Sequence, residues 1–343
     1  MTQDTENLVL VKATHDQILT TWHNTHVEWG VKLDLEQYLK REKLLANQQF
    51  TSENITVWAL VHKDDPTNTQ PLAHCETFRR PAIINNPENG GEIQERECYS
   101  IATVFCPAKY RGKGYASKMM KLLYLELEKN GAALSNLYSD VGPTFYSRLG
   151  WKLYPAFEGQ LTAKNTPKGT QLPSEVNWLT EDKIDEFATK DCELLRQEVK
   201  NSTKTTVAIL PRRIDYDWHW ARSRFYAGVY DRPIPAFLGA YVQNTAKESP
   251  NFITWTHDFR DNQLIILRLR STSKESTQLL LEASKIEASN MGISTVVVWN
   301  LERKFTPDDV NVVERDSSLP SMAYFECPEK ELEWLGNEKY AWV

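Results

Sequence analysis

The chain has 343 residues, enough for two ordinary domains that each bury a core. Lys and Arg number 40 against 46 Asp and Glu, a formal charge of -6, and no cluster of Lys interleaved with aromatics offsets it, which argues against a nucleic-acid partner. With 41% hydrophobic residues, no apolar run of membrane-spanning length and a polar, acidic opening (MTQDTENLVL), the chain is expected to be a soluble, cytosolic (cytoplasmic) protein without a membrane partner.

Residues Leu8 to Lys12 predict a strand, and Asp16 to about Val27 a helix with Thr14 as its N-cap. A second helix is expected over Leu35 to Leu45, strands over Asn54 to His62 and Gln70 to Phe78, and a polar connection over Asn85 to Gly91. The most telling stretch comes next. Tyr99 to Cys106, rich in β-branched and aromatic residues, predicts a strand, while Ala116, Met119, Met120 and Leu123 share one helical face. Between them Gly112 and Gly114 allow a tight turn and a close approach to a ligand. Their amides, with those of Tyr115 and Ala116 at the helix start, converge on an anion, and the helix dipole has the matching sign. Arg111 and Lys113 add positive charge. A P-loop is excluded by the missing Gly-Lys-Ser/Thr ending, and a dinucleotide fingerprint by the missing Gly-x-Gly-x-x-Gly. A strand over Leu134 to Ser139 and a short helix follow, the latter with Pro143 in its first turn and Gly150 as its stop.

The aperiodic stretch Thr162 to Ser174 marks a domain boundary, dividing the chain into residues 1–161, a linker over 162–174, and residues 175–343. Beyond it the element order recurs: a strand over Val176 to Leu179, helices over Glu181 to Val199 and Asp217 to Tyr226, and strands over Ala236 to Val242, Phe252 to His257 and Gln263 to Leu269. A helix over Gln278 to Asn290 and a strand over Thr295 to Trp299 close the series. Where the glycine turn would recur, this half has Arg270-Ser-Thr-Ser-Lys274, which lacks the glycines to cradle an anion.

Two linked motifs carry a family resemblance: Arg111-x-x-Gly114-x-Ala116, and Phe145-Tyr146-x-x-x-Gly150-Trp151. Residues 99 to 151 resemble the Gcn5-related N-acetyltransferase superfamily. The phrases CETFRRPA (75 to 82) and YSDVGPTFYSRLGW (138 to 151), with the ending NEKYAWV, are similar to the fungal lysine N-acetyltransferase family, whose members acetylate free L-lysine. The resemblance implies an α/β (α+β) fold with a mixed, mainly antiparallel sheet flanked by helices; the recurring element order makes the second half either a degenerate acetyltransferase-like domain that shapes the acceptor site or an unrelated α+β domain. It also implies acetyl-CoA as co-substrate and a small-molecule amine as acceptor. The pyrophosphate would rest on the 111–116 turn, and Val104 and Cys106 would offer main-chain groups to the pantetheine arm and the thioester oxygen. Tyr146 would protonate the departing thiolate.

Attack on a thioester requires a deprotonated amine, and a lysine side chain with a pKa of about 10.4 therefore calls for a base. Glu76 is the first candidate and Asp140 the second; Asp140 has the alternative roles of capping the helix near Gly142 or binding the substrate ammonium. Cys106 as an acetylated nucleophile is disfavoured, since direct transfer needs no covalent step and no histidine is placed beside it. Trp29 and Trp22 fall where this superfamily builds its acceptor site, and Arg79 or Arg80 is a candidate partner for a substrate carboxylate. His23 and His26 have helical spacing without a third ligand, so no metal is expected. The aromatic ending predicts a docked terminus, with the Val343 carboxylate as base or substrate anchor; a short C-terminal tag should then abolish turnover.

Overall fold

The structure is a computed structural model and describes residues 6–243 and 249–343; residues 1–5, the start of the polar opening segment, lie outside the described residues. The first half runs β1 Leu8–Lys12, α1 His15–Trp29, α2 Leu35–Ala46, α3 Gln49–Asn54, β2 Ile55–His62, β3 Ala73–Asn85, β4 Ile93–Phe105, α4 Tyr115–Lys129, β5 Leu134–Ser139, α5 Thr144–Ser147, β6 Lys152–Leu153 and β7 Phe157–Thr162. The second runs β8 Val176–Leu179, α6 Ile184–Asn201, β9 Thr206–Ile209, α7 Arg213–Val229, β10 Gly239–Val242, β11 Phe252–Asp258, β12 Gln263–Arg270, α8 Lys274–Asn290 and β13 Thr295–Trp299. It ends with β14 Asn311–Glu314, β15 Leu319–Tyr324, β16 Glu333–Leu335 and a 3-10 turn at Lys339–Ala341. The starts of α1 and α2 are set by local chemistry, because both carry a complete capping box, Thr14 with Gln17 and Asp34 with Gln37.

Two mixed, mainly antiparallel sheets are flanked by helices. The first has the order β1-β2-β3-β4-β5-β15-β6, with β9 on the far part of β3 and β16 beside β9; the second has the order β14-β7-β13-β12-β11-β10-β8. Each sheet contains a parallel pair joined by a crossover helix: β4 with β5 through α4, and β12 with β13 through α8.

The sheets do not divide at residues 161/162. β7 of the first half pairs with β13 of the second sheet, and β15 of the second half pairs with β5 of the first. Each sheet is thus completed from the other half, the first by β9, β15 and β16 and the second by β7. The shared core reflects this exchange: Ala82, Cys98 and Leu134 of the first sheet pack with Tyr216, Trp220, Phe252 and Leu267 of the second half. Such nonlocal pairing leaves no local signal, and β7, β9, β14, β15 and β16, all short, have no counterpart among the sequence-predicted strands.

Candidate active site

The cleft begins where β4 and β5 part. Their parallel pairing runs from Cys98 opposite Leu134 to Ile101 opposite Leu137 and stops. Beside that point the β3–β4 register shifts between His74 and Glu76, and Thr103 takes a φ of 52°. The bulge bends β4 away from β5 and opens a wedge whose edges carry unpaired strand groups. Val104 on this departing end of β4 and Cys106 just beyond it are both half-buried.

The turn leading to α4 fits a pyrophosphate. Gly112 and Gly114 have φ values of 79° and 82°, and a Cβ on either would point into open space. Gly114 is the N-cap of α4, and no side chain caps it. The corresponding places in the second half are filled by the protein itself. There Ser273 caps α8 through its hydroxyl, Asn251 accepts from the Thr272 amide at 2.6 Å, and Glu338 accepts from the Leu269 amide at 2.8 Å where the β12–β13 pair opens. Of the two helix starts, only that of α4 keeps its anion position clear. Arg111 is turned along the rim: it donates to the Cys106 carbonyl at 3.0 Å and pairs with Glu28 at 2.6 Å, joining the end of α1 to the turn. Lys113 is exposed, while the Tyr115 ring is buried under α4 and Ala116 is half-buried.

Glu76 and Tyr146 lie on opposite faces of the first sheet. Cys75 packs in the apolar cluster under α4 with Met119, Met120 and Tyr146, so strand alternation sends Glu76 through the sheet toward α2. There its carboxylate accepts from the Thr103 hydroxyl at 2.7 Å. Burial pushes the Glu76 carboxyl up to about 7; the Thr103 bond opposes this and the Glu42 charge on α2 reinforces it. Tyr146 is buried, and burial, followed by the Cys75 and Asp140 charges, raises its phenol above the ordinary range. At neutral pH the pair therefore consists of a carboxyl near its midpoint and a fully protonated phenol. Cys106 remains a thiol, its pKa raised by burial despite the Arg111 charge.

On the Glu76 face of the first sheet, α2, α7 and the C-terminal segment come together. Tyr38 donates to Thr25 at 2.8 Å, and Arg41 binds Glu42, the Trp29 carbonyl and the Tyr226 hydroxyl, tying α2 to α7. Trp29 keeps 36% of its surface exposed and stands 6.0 Å from the Phe105 ring at the wedge. Val343 and Trp342 pack with Phe78, Trp218 and Ala102, and Ala102 is the residue opposite Glu76 on β4. The C-terminal segment is thus docked beside the candidate base, with Lys339, Tyr340 and Ala341 buried.

Three sequence-based expectations are corrected. Arg79 lies on the other face of β3 from Glu76, exposed and paired with Glu97 at 3.3 Å, because the alternation that brings Glu76 in sends Arg79 out. Arg80 is fully engaged: it donates to the Tyr340 and Ala341 carbonyls and pairs with Asp215 at 3.1 Å, which makes it the clamp of the C-terminal segment. Asp140 is exposed and accepts from the Ser318 amide at 2.7 Å, so it anchors the approach to β15 instead of capping α5. His23 and His26 bond to the Leu19 and Leu33 carbonyls, and among the described residues no group of three or more His, Cys, Asp or Glu is placed to hold a metal ion. Sequence reasoning missed Glu42 and Thr103. The buried stripe Tyr38, Arg41 and Leu45 on α2 was the available signal for the first, since a buried Arg demands a nearby acid.

Comparison with known proteins places the fold. The family described as the LYC1 GNAT-like C-terminal domain matches residues 160–343, and the acetyltransferase (GNAT) domain matches residues 91–154. A protein of Yarrowia lipolytica named lysine acetyltransferase is 28% identical, with 84% of this chain and 83% of the relative aligned. An uncharacterized protein of Saccharomyces cerevisiae is 29% identical over 36% of this chain and 38% of its own. Among solved structures, a GCN5-related N-acetyltransferase from Kribbella flavida superposes with a TM-score of 0.55 at 14% identity, covering 93% of this chain and 72% of that one. A putative acetyltransferase from Pyrococcus horikoshii gives 0.52 at 12% identity, covering 98% and 96%. Both show a shared fold.

Proposed function

The chain belongs to the LYC1-like family of GNAT acetyltransferases, and from that premise we propose that it transfers acetyl from acetyl-CoA to the side-chain amine of free L-lysine by direct attack in a ternary complex. Acetyl-CoA supplies the activated acetyl group; this chain's residues hold it, orient the amine and move two protons. The Gly112–Gly114 turn and the start of α4 take the pyrophosphate, and the departing end of β4 takes the pantetheine arm. Glu76, directly or through a water, removes the proton from the acceptor ammonium. Tyr146 donates at the departing sulfur from the opposite face of the sheet.

The observation that carries this reading is Glu76: a carboxyl pushed up to about 7 at the β4 bulge, hydrogen-bonded to Thr103, is matched to deprotonating an amine near neutral pH. Lysine as the acceptor is supported by the name of the Yarrowia lipolytica relative. The test is release of free thiol from acetyl-CoA with lysine, other amino acids, polyamines and lysine-containing peptides in turn. Fastest release with lysine supports the reading; fastest release with a peptide or a polyamine overturns it.

A further inference from the structure

With Arg79 turned outward and Arg80 consumed as a clamp, the acceptor's carboxylate needs another partner, and two buried basic side chains are left incompletely partnered. Lys339 is 8% exposed and Arg315 is 9% exposed. The Lys339 ammonium lies 3.6 Å from the centre of the Trp342 ring and 4.3 Å from that of Trp299; among the described residues it makes no hydrogen bond or ion pair. The Arg315 guanidinium stacks 3.6 Å over Trp299 and donates once, to the Ser318 carbonyl, which leaves Nε and one terminal nitrogen buried without an acceptor. Nearby acids do not supply the missing partners. Asp258 is committed to Arg222 and Arg260, Glu158 accepts from the Trp299 ring nitrogen, and Asp140 holds Ser318. Buried donors left open in this way cost stability unless a ligand completes them. Burial and the Arg222 and Arg315 charges hold the Lys339 ammonium well below its usual range, and burial brings Arg315 down to about 10, so an arriving anion would relieve both.

The position suits one end of an amino acid. Trp342, which covers Lys339, packs against the same apolar cluster as Ala102, the residue opposite Glu76 on β4. On the other side, the Asp140 charge is felt by Tyr146 as well as by both cations. The Glu76 carboxyl, the apolar cluster and two basic side chains with unfilled donors match an ammonium, a methylene chain and a carboxylate. We infer that Lys339 and Arg315 form the receptor for the α-carboxylate of the acceptor amino acid, an inference that rests on the amine-acetylating function proposed above.

Three acceptors test it: lysine; pentane-1,5-diamine, which is lysine without the carboxylate; and 6-aminohexanoate, which keeps the carboxylate but lacks the α-amine. The readout is the ratio of kcat/KM for each carboxylate-bearing acceptor to that for the diamine, measured within one enzyme preparation, so that any loss of folded protein cancels. Lys339→Met and Arg315→Gln should each lower the lysine-to-diamine and 6-aminohexanoate-to-diamine ratios at least tenfold. Ratios within twofold of wild type in both variants would overturn the inference alone, as would a wild type that uses lysine and the diamine equally. A wild type that binds acetyl-CoA but acetylates none of the three would overturn the functional reading and the inference with it.

Discussion

Replacing Glu76 by Gln removes the proposed base while keeping the shape of the side chain and an oxygen for the Thr103 hydroxyl. Losing general-base catalysis should lower kcat/KM by about 10² to 10⁴ at neutral pH. In the wild type, kcat/KM should rise with pH up to about 7, where Glu76 becomes ionised, and level off above it; the variant should lose that limb. Stability should move the other way. Burial raises the carboxyl from 4.5 to about 7, so the folded state holds this proton more tightly than the unfolded chain does. The favourable contribution of protonated Glu76 is fully present below the unfolded value and is lost as pH rises through the folded one. At about 1.4 kcal/mol per unit, the wild type should fall behind the Gln variant by up to about 3 kcal/mol above pH 7, an upper bound because Glu76 keeps some solvent contact. Urea denaturation of both proteins from about pH 4 to about pH 8.5 measures this, with the difference expected to vanish at the acid end. A difference independent of pH, or a variant within a few-fold of wild-type activity with the acid limb intact, would refute the assignment of Glu76.

Other substitutions test the remaining parts. Tyr146→Phe keeps the ring packed against Phe145 and should lower kcat by about 10² or more, read from thiol release at saturating acetyl-CoA. Gly114→Ala places a methyl group in the open cradle on a left-handed residue; it should cost about 1 kcal/mol in urea denaturation and raise the KM for acetyl-CoA well above that for the amine. Arg80→Leu leaves Asp215 short of a partner and releases the Tyr340 and Ala341 carbonyls, so it should cost about 3–5 kcal/mol; a loss below about 1 kcal/mol would contradict its role as the clamp.

What could be read from the sequence follows the range of the interactions involved. The glycine turn, the Phe145–Tyr146 element and the α1 and α2 caps depend on neighbours a few residues apart, and β1, β5, β8 and β13 appear at their predicted limits. α3 was missed because six residues, QFTSEN, are too short to display a helical period. The exchange of β7 and β15 was invisible because each pairs with a strand more than a hundred residues away in the chain. At the site the hard question was the phase of β3: Arg79 and Arg80 are adjacent, and only the β3–β4 register decides which one turns inward. Lys339 and Arg315 escaped notice because charged residues ordinarily lie at the surface, and their burial results from the folding of the C-terminal segment between the two halves.

The most direct measurement is the structure of the product. With acetyl-CoA and L-lysine as the only substrates, tandem mass spectrometry or proton NMR locates the acetyl group on whichever nitrogen received it. The account predicts lysine acetylated on its side-chain nitrogen, with one equivalent of free coenzyme A released per product. Acetylation of the α-nitrogen, or an enzyme that binds acetyl-CoA yet releases no thiol with lysine, would contradict it.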